Sequence, residues 1–156
     1  MLKMLTIFLV VLLKPITYGL NQTDNKLKTG WYYIDEKAGS YQRQLYKSNE
    51  KYFINPQPIV LAKHFITVEL SGSDSKHDLY ILIRFDATGA SAWEKATGKS
   101  IHKKLALIID DKLIYTPQVE AQITAGISAL NPGVFSQEEM EHFEKILKSE
   151  MSSQSK

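Results

Sequence analysis

Two adjacent carboxylates, Asp110 and Asp111, are the residues whose type and spacing most suggest chemistry. Paired carboxylates can hold a divalent cation or act as a general acid and base. Here they stand between two apolar runs, 105–109 and 113–115, which is typical of the exposed tip of a β-hairpin. No third ligand lies near them in the sequence, so we interpret the pair as a turn and predict no metal-binding residues there.

The other reactive residue types form no catalytic or metal-binding motif. No two histidines have the i, i+4 spacing that places two ligands on one helix face, and the sequence has no nucleophile elbow, phosphate-binding loop or dinucleotide fingerprint; the histidines are His64, His77, His102 and His142. The absence of cysteine excludes disulfides, thiolate catalysis and cysteine-ligated zinc. We predict no catalytic residue and no cofactor. A hydrolase with a dispersed site, built around His64 or His102, stays as an alternative.

The N-terminus has the plan of a secretory signal peptide. Lys3 precedes an apolar run over residues 5–13, and the small residues Thr17 and Gly19 suit the −3 and −1 positions of a cleavage site. The run is about half the ~20 residues that a membrane-spanning helix needs. We expect residues 1–19 to be a signal peptide and the protein to be periplasmic or secreted, with no membrane span after signal removal.

The charge of the chain argues against nucleic acid as a partner. The chain has 19 basic and 17 acidic residues, but residues 1–19 contribute Lys3 and Lys14 and no acidic residue. Without that segment the chain is neutral, which leaves no electrostatic footprint for a phosphate backbone. We expect a polypeptide or an envelope protein as the partner.

Residues 20–29 are polar and predict a flexible lead-in, whereas residues 30–62 predict a small N-terminal β segment. Within it, residues 31–34 and 41–46 form a hairpin, and residues 52–54 form a third strand that ends before Pro56 and Pro58. Its aromatic side chains form either the apolar face of the sheet or a recognition surface, and we favour the apolar face. The possible binding surface consists of Trp31, Tyr32 and Tyr33.

Residues 63–149 combine strand and helix signals and predict the main domain. Two alternating runs form a hairpin in which every second residue, from His64 to Leu70 and from Leu79 to Phe85, faces the core. Residues 105–115 form a second hairpin, and residues 125–130 form a last strand.

Two helices complete this domain. The first covers residues 88–97, with Thr88 as N-cap and Gly98 after its end, and buries Gly89, Ala92, Trp93 and Ala96. The second begins at a capping box of Ser136 and Glu139, and residues 150–156 form a disordered tail. Its apolar stripe comprises Met140, Phe143, Ile146 and Leu147. The fold class is therefore α+β: an antiparallel sheet of hairpins with two helices packed on one face, plus the small N-terminal β segment.

Several of these segments resemble one known family. A strand is followed by a helix that contains Gly89 and ends at Thr97, then by a strand that closes on Asp110 and a return strand that stops at Pro117. A glycine-containing segment around Gly126 and the capped helix follow. In this order the motifs are similar to the head subdomain of the first periplasmic domain of SecD/SecDF, an accessory subunit of bacterial protein export.

The chain departs from that family in two ways. Asp111 replaces the usual turn glycine, and the family's transmembrane helices have no counterpart here. The resemblance implies an exported, non-enzymatic module that binds polypeptide, without coupling to a proton gradient. The alternative is a dedicated envelope interaction or inhibitor protein with one folded partner.

Overall fold

The computed structural model describes residues 25–36, 41–72 and 79–153, in which strands and helices combine in an α+β fold. The predicted signal peptide, the start of the lead-in and His77 lie outside the described residues. The elements are β1 (Gly30–Asp35), β2 (Tyr41–Gln44), β3 (Lys51–Leu61), β4 (Phe65–Ser71), β5 (Tyr80–Phe85), α1 (Ala87–Lys99), β6 (Leu105–Ile109), β7 (Lys112–Tyr115), β8 (Ile127–Leu130) and α2 (Gln137–Ser153). The short 3-10 turn Ala62–His64 joins β3 to β4.

Five strands form a sheet in the order β2-β3-β1-β6-β7, and this sheet curls until its two ends meet. Leu45, directly after β2, bridges Leu113 of β7, and the Tyr46 N–H donates to the Leu113 carbonyl oxygen at 2.8 Å. This contact closes the sheet at one point, between the end of β2 and β7. Its interior holds a small core made of Leu27, Tyr32, Ile54, Ala106, Ile108 and Leu113.

The remaining strands form a second antiparallel sheet in the order β4-β5-β8. Helix α1 contacts β3 and β5, and α2 contacts β4, β5 and β6, so the main core lies between the two helices and the two sheets. Fully buried members of this core include Trp31, Ile83, Leu107, Leu130 and Met140. The predicted α+β class with antiparallel strands and two packed helices is confirmed, although the strands divide between two sheets.

The predicted hairpin of residues 31–46 is wrong, because β1 and β2 do not pair with each other. Both strands pair with β3, which lies between them. The hairpin was predicted because two aromatic runs lie near each other in the sequence. Nearness along the chain does not determine which strands pair.

The N-terminal β segment 30–62 is not separate from the predicted domain at 63–149. Strand β6 is buried along its whole length, so its backbone groups need a neighbouring strand on each edge. Strand β7 supplies one neighbour and β1 the other, through pairs that run from Gly30↔Ile108 to Tyr33↔Leu105. The two predicted segments therefore share one sheet.

Strand β3 continues through Pro56 and Pro58, where the sequence predicted a break. Pairing with β2 ends at Ile54, so among the described strands the later part of β3 has one neighbour, β1. Proline is tolerated in such a half-paired strand because one edge has no neighbour that requires a backbone N–H. Register shifts on either side of Tyr32 also break the regular ladder there.

The inward face of β4 differs from the predicted alternation. Phe65 and Val68 are buried, whereas Ile66 is 52% exposed. The pairing with β5 shifts between Phe65 and Thr67, so Ile66 is the extra residue of a β-bulge and the alternation restarts after it. His64 lies in the 3-10 turn before the strand. In β5 the prediction is confirmed, because the four residues expected to face the core are buried: Leu79, Ile81, Ile83 and Phe85.

Helix α1 begins one residue earlier and ends two residues later than predicted. Its N-cap is Asp86, whose carboxylate accepts the Gly89 N–H at 2.7 Å, so Thr88 lies inside the first turn. At the other end Gly98 is helical, and the Ser100 N–H donates to the Thr97 carbonyl oxygen. Because both Asp86 and Thr88 can cap a helix, sequence alone did not separate them.

The capping box at the start of α2 is confirmed. The Ser136 N–H donates to the Glu139 carboxylate at 2.8 Å, and the Glu139 N–H donates to Ser136 Oγ at 3.2 Å. The predicted stripe faces the core, with Met140, Phe143 and Leu147 buried. The helix extends to Ser153, so the predicted disordered tail does not begin at residue 150.

Candidate interaction surface

The acidic turn between β6 and β7 is a structural clamp. Asp110 and Asp111 both have positive φ, 46° and 64°, as a tight hairpin turn requires. The Asp111 carboxylate accepts the Leu27 N–H at 2.8 Å and pairs with the Arg43 guanidinium at 2.6 Å. It thus ties β2 and the N-terminal segment to the turn. Asp110 is paired more loosely with Lys26, at 3.5 Å.

This clamp also corrects the predicted lead-in, since residues 25–29 are anchored. Leu27 is buried in the interior of the five-stranded sheet. Thr29 is buried as well, and its carbonyl oxygen accepts the Ala62 N–H while its Oγ1 accepts the Asp110 N–H. Polar composition suggested flexibility, but these residues bond to the ends of other strands.

Asp111→Gly is expected to lower the free energy of unfolding by about 1–2 kcal/mol. Glycine adopts the positive φ without strain, which stabilises the variant by about 1 kcal/mol. The substitution also removes the charged acceptor of the partly buried Arg43 guanidinium and of the Leu27 N–H, and this loss is larger than the gain. Urea unfolding would measure the difference. Asp110→Gly is the matched control and should be neutral or slightly stabilising, because its side chain is exposed. A more stable Asp111→Gly variant would contradict the clamp.

The histidines lie on different elements. His64 Nδ1 lies 2.9 Å from one carboxylate oxygen of Asp86, whose other oxygen caps α1. The Gly89 N–H, and next the His64 ring, hold the pKa of Asp86 below its ordinary value. His102 and His142 are exposed. Within the described ranges no group of three or more His, Asp or Glu residues is placed to hold a metal ion.

The aromatic residues of the possible binding surface lie mostly inside the protein. Trp31 is 1% exposed and Tyr32 2% exposed, and Tyr33 is half-buried. The Trp31 ring lies 4.8 Å from that of Trp93, and its Nε1–H donates to Ser128 Oγ at 3.0 Å. Burial raises the pKa of Tyr32 to about 12. Trp31 and Tyr32 therefore present no side-chain surface to a partner, and the apolar-face interpretation describes them.

The residues on which the predicted resemblance rests, Gly89, Thr97, Asp110, Pro117 and Gly126, all lie in well-defined structural positions. A Cβ on Gly89 would lie 3.0 Å from His64 Cβ, and Gly126 has a φ of +65°. Thr97 is fully buried, and its Oγ1 donates to the Trp93 carbonyl oxygen and accepts the Ile123 N–H. The Pro117 carbonyl oxygen accepts the Leu105 N–H. Asp110 lies in the acidic turn.

An apolar groove on the described surface is a candidate contact site. It has a volume of about 230 Å³ and is lined mainly by Tyr46, Ile114, Tyr115, Asn131, Val134 and Phe135. Val134 is 67% exposed, the largest exposed fraction among the large apolar residues that the structure describes. An exposed apolar side chain beside an apolar groove marks a candidate contact site. Sequence reasoning missed it, although two bulky apolar residues directly after the Asn131-Pro132-Gly133 turn were a signal.

One rim of this groove is held by the Glu139 carboxylate. Tyr46 OH donates to Glu139 at 3.2 Å, and Lys47 Nζ pairs with it at 2.6 Å. The Lys47 ammonium, and next the Ser136 N–H, lower the pKa of Glu139 to about 2. The ionised carboxylate therefore links the β2–β3 connection to the start of α2.

Glu139→Gln is expected to lower the free energy of unfolding by about 1 kcal/mol at pH 7, since glutamine keeps the capping box but loses the pair with solvent-exposed Lys47. The folded-state pKa lies below the unfolded value of 4.5, so the carboxylate's contribution is complete above about pH 5 and is lost as the pH falls toward 2. Urea unfolding of both proteins between pH 7 and pH 2.5 checks this. A constant difference across that range would contradict it.

Among the described residues no helix is both long and apolar enough to cross a lipid bilayer.

Comparison with known proteins points to one family. The family described as SecDF, P1 head subdomain, matches residues 38–150. Protein translocase subunit SecD of Calditerrivibrio nitroreducens is 23% identical over 97 residues, which cover 62% of this chain and 19% of that protein. The chain thus spans about a fifth of the curated relative.

Solved structures show the same fold. A structure of SecDF, described as a membrane component that enhances protein export, superposes with a TM-score of 0.59 at 17% identity, covering 81% of this chain and 66% of that one. SecDF in its super-membrane-facing form gives a TM-score of 0.55 at 22% identity, covering 64% of this chain and 13% of that one. The architecture is therefore that of the SecDF P1 head. With the family match over most of its length, the chain belongs to the SecDF P1 head subdomain family, which confirms the resemblance inferred from the motifs.

Proposed function

We propose that this chain is an exported, non-enzymatic module that binds polypeptide segments and assists protein export in the periplasm or outside the cell. The observation that carries the proposal is the family match over residues 38–150, since the related proteins are a translocase subunit and a component that enhances export. The exposed apolar groove supports polypeptide as the ligand, because unfolded chains expose the apolar side chains that such a groove accepts.

The proposal assigns binding, not catalysis, to the described surfaces. The carboxylate pair that most suggested chemistry lies in a turn in which Asp111 holds Arg43, and the carboxylate beside His64, Asp86, caps α1. Both the Asp110–Asp111 turn and the Asp86–His64 pair therefore have a role in stability.

Site-specific crosslinking tests the proposal. A photoreactive amino acid replaces Val134 at the groove in the full chain, produced in a bacterium with an active export pathway. We expect crosslinks to many newly exported chains, and far fewer from the same amino acid at exposed Lys95 on α1. Absence of such crosslinks, together with no binding of an unfolded peptide by the purified protein, would refute the proposal. Recovery of one folded protein alone would favour the dedicated-partner alternative.

A further inference from the structure

The edge of β8 that faces away from β5 carries unpaired backbone groups. The Phe85 N–H donates to the Gly126 carbonyl oxygen at 2.9 Å, and the antiparallel pairing continues in register from Arg84↔Ile127 onward. Backbone groups alternate in direction along an antiparallel strand. Those of Ser128 therefore point toward β5, whereas the N–H and C=O groups of Ile127 and Ala129 point away from it.

The opposite edge of the same sheet supports this assignment of directions. Ile81 of β5 directs its backbone groups toward β8, so Leu70, its partner on β4, is not hydrogen-bonded to it. The Leu70 N–H therefore points away from β5. That N–H donates to the Glu144 carboxylate of α2 at 2.9 Å. Helix α2 packs along β4, so this edge of the sheet is covered and its outward donor at Leu70 is satisfied.

The β8 edge has no such cover. Across residues 25–36, 41–72 and 79–153, no hydrogen bond engages the outward backbone groups of Ile127 or Ala129. Strand β5 is the only strand that pairs with β8 in the described sheets, and Ile127 and Ala129 are both partly exposed. Strand β8 is short, at four residues, but its sequence Ile-Ser-Ala-Leu carries no charge and no proline, two of the devices by which natural proteins blunt an edge.

We infer that β8 is the docking edge for an extended polypeptide segment, which adds to the sheet as a fourth strand. This inference rests on the proposed function and names the mode of binding. Two N–H and two C=O groups at strand spacing are the complement of another extended backbone. Because backbone hydrogen bonds do not depend on side-chain identity, such an edge suits a module that handles many different chains.

The residues of the apolar groove follow this edge along the chain. The chain leaves β8 at Leu130 and reaches Val134 and Phe135 of the groove a few residues later, and Asn131 Nδ2 donates to Tyr115 OH at 3.2 Å within this stretch. On this inference, a segment that pairs with β8 and runs on past Leu130 places an apolar side chain in the groove. The backbone supplies general affinity, and the groove adds a preference for apolar residues.

Ala129→Pro tests the edge. Proline removes the outward N–H and blocks pairing, yet β5 loses no hydrogen bond because that N–H points away from it. The probe is a fluorescein-labelled peptide of alternating Val and Thr with Lys at both ends, and its affinity is measured by fluorescence anisotropy. We expect at least about tenfold weaker binding, as for the loss of one to two backbone hydrogen bonds. Ala129→Val is the matched control, since it keeps the N–H and should bind as the unmodified chain does.

A second arm leaves the protein unchanged. The same peptide, N-methylated at its four central residues, lacks the donors for strand pairing but keeps its side chains, and it should lose affinity to a similar extent. If the unmethylated peptide binds and neither change weakens binding, the edge inference is wrong while polypeptide binding stands. If the unmodified chain binds no peptide at all, the edge inference fails, and the absence of crosslinks from position 134 would then refute the proposed function as well. Should Ala129→Pro prove unfolded by circular dichroism, the methylated peptide decides.

Discussion

Trp31→Ala is expected to lower the free energy of unfolding by about 4 kcal/mol, a large share of the stability of a domain of this size. Trp31 is 1% exposed and joins three parts of the fold: it belongs to β1, its ring contacts Trp93 of α1, and its Nε1–H donates to Ser128 of β8. Truncation leaves a cavity where the two sheets and α1 meet. Urea unfolding monitored by circular dichroism measures the loss.

Two conservative substitutions separate the hydrogen bond from the ring. The Trp93 Nε1–H is buried without a hydrogen-bond partner in the described residues, so Trp93→Phe removes ring area alone. Trp31→Phe also leaves buried Ser128 without its donor. We expect Trp31→Phe to cost about 1 kcal/mol more than Trp93→Phe. Equal costs would mean that the Trp31–Ser128 bond contributes nothing to stability, and a small effect of Trp31→Ala would refute the central role of Trp31.

Gly126→Ala is expected to lower the free energy of unfolding by about 3 kcal/mol. Gly126 has a φ of +65°, which costs alanine about 1 kcal/mol, and an added Cβ would lie 2.9 Å from Ala90 Cβ on α1. Relief of that contact requires α1 or the start of β8 to move, and the Gly126 carbonyl oxygen accepts the Phe85 N–H. Thermal or urea unfolding gives the measurement.

Gly133→Ala is the matched control for Gly126→Ala. Gly133 also has a positive φ, +47°, but a Cβ there would meet nothing within 4 Å, so the expected cost is only the backbone strain of about 1 kcal/mol. The double variant Gly126→Ala, Ala90→Gly removes the close contact and should lose less stability than the sum of its single changes. Equal effects at Gly126 and Gly133 would show that backbone conformation alone matters at both.

The correct predictions depended on interactions between residues close in the chain. The Ser136–Glu139 capping box spans three residues, and the Asp110–Asp111 turn joins strands that are neighbours in sequence. The alternation of β5 was also readable, because that strand has one face in the core and no bulge. The SecD/SecDF resemblance rested on the order of such local elements.

Most of the errors concern partners that are distant in the chain. The neighbours of β1 and the bulge at Ile66 depend on which strand edges meet after folding. The cap of α1 is a local exception, because Asp86 bonds Gly89 only three residues away and Thr88 was an equally suitable cap by sequence. Trp31 illustrates the difference. As an aromatic residue in a β-prone run it fitted either the core or a recognition surface, and only its contacts with Trp93 and Ser128 show that it lies in the core.

The sequence by itself determined the class of fold, the two hairpins, the helix that Ser136 caps and the family, because short-range hydrogen bonding and apolar periodicity are properties of contiguous residues. Only the tertiary structure decided that residues 30–35 complete the sheet beside β6, that Asp111 clamps Arg43, and that, among the described strands, β8 pairs with β5 alone. Exposure and edge pairing are set by how separate elements close over one another, and no local pattern encodes that arrangement.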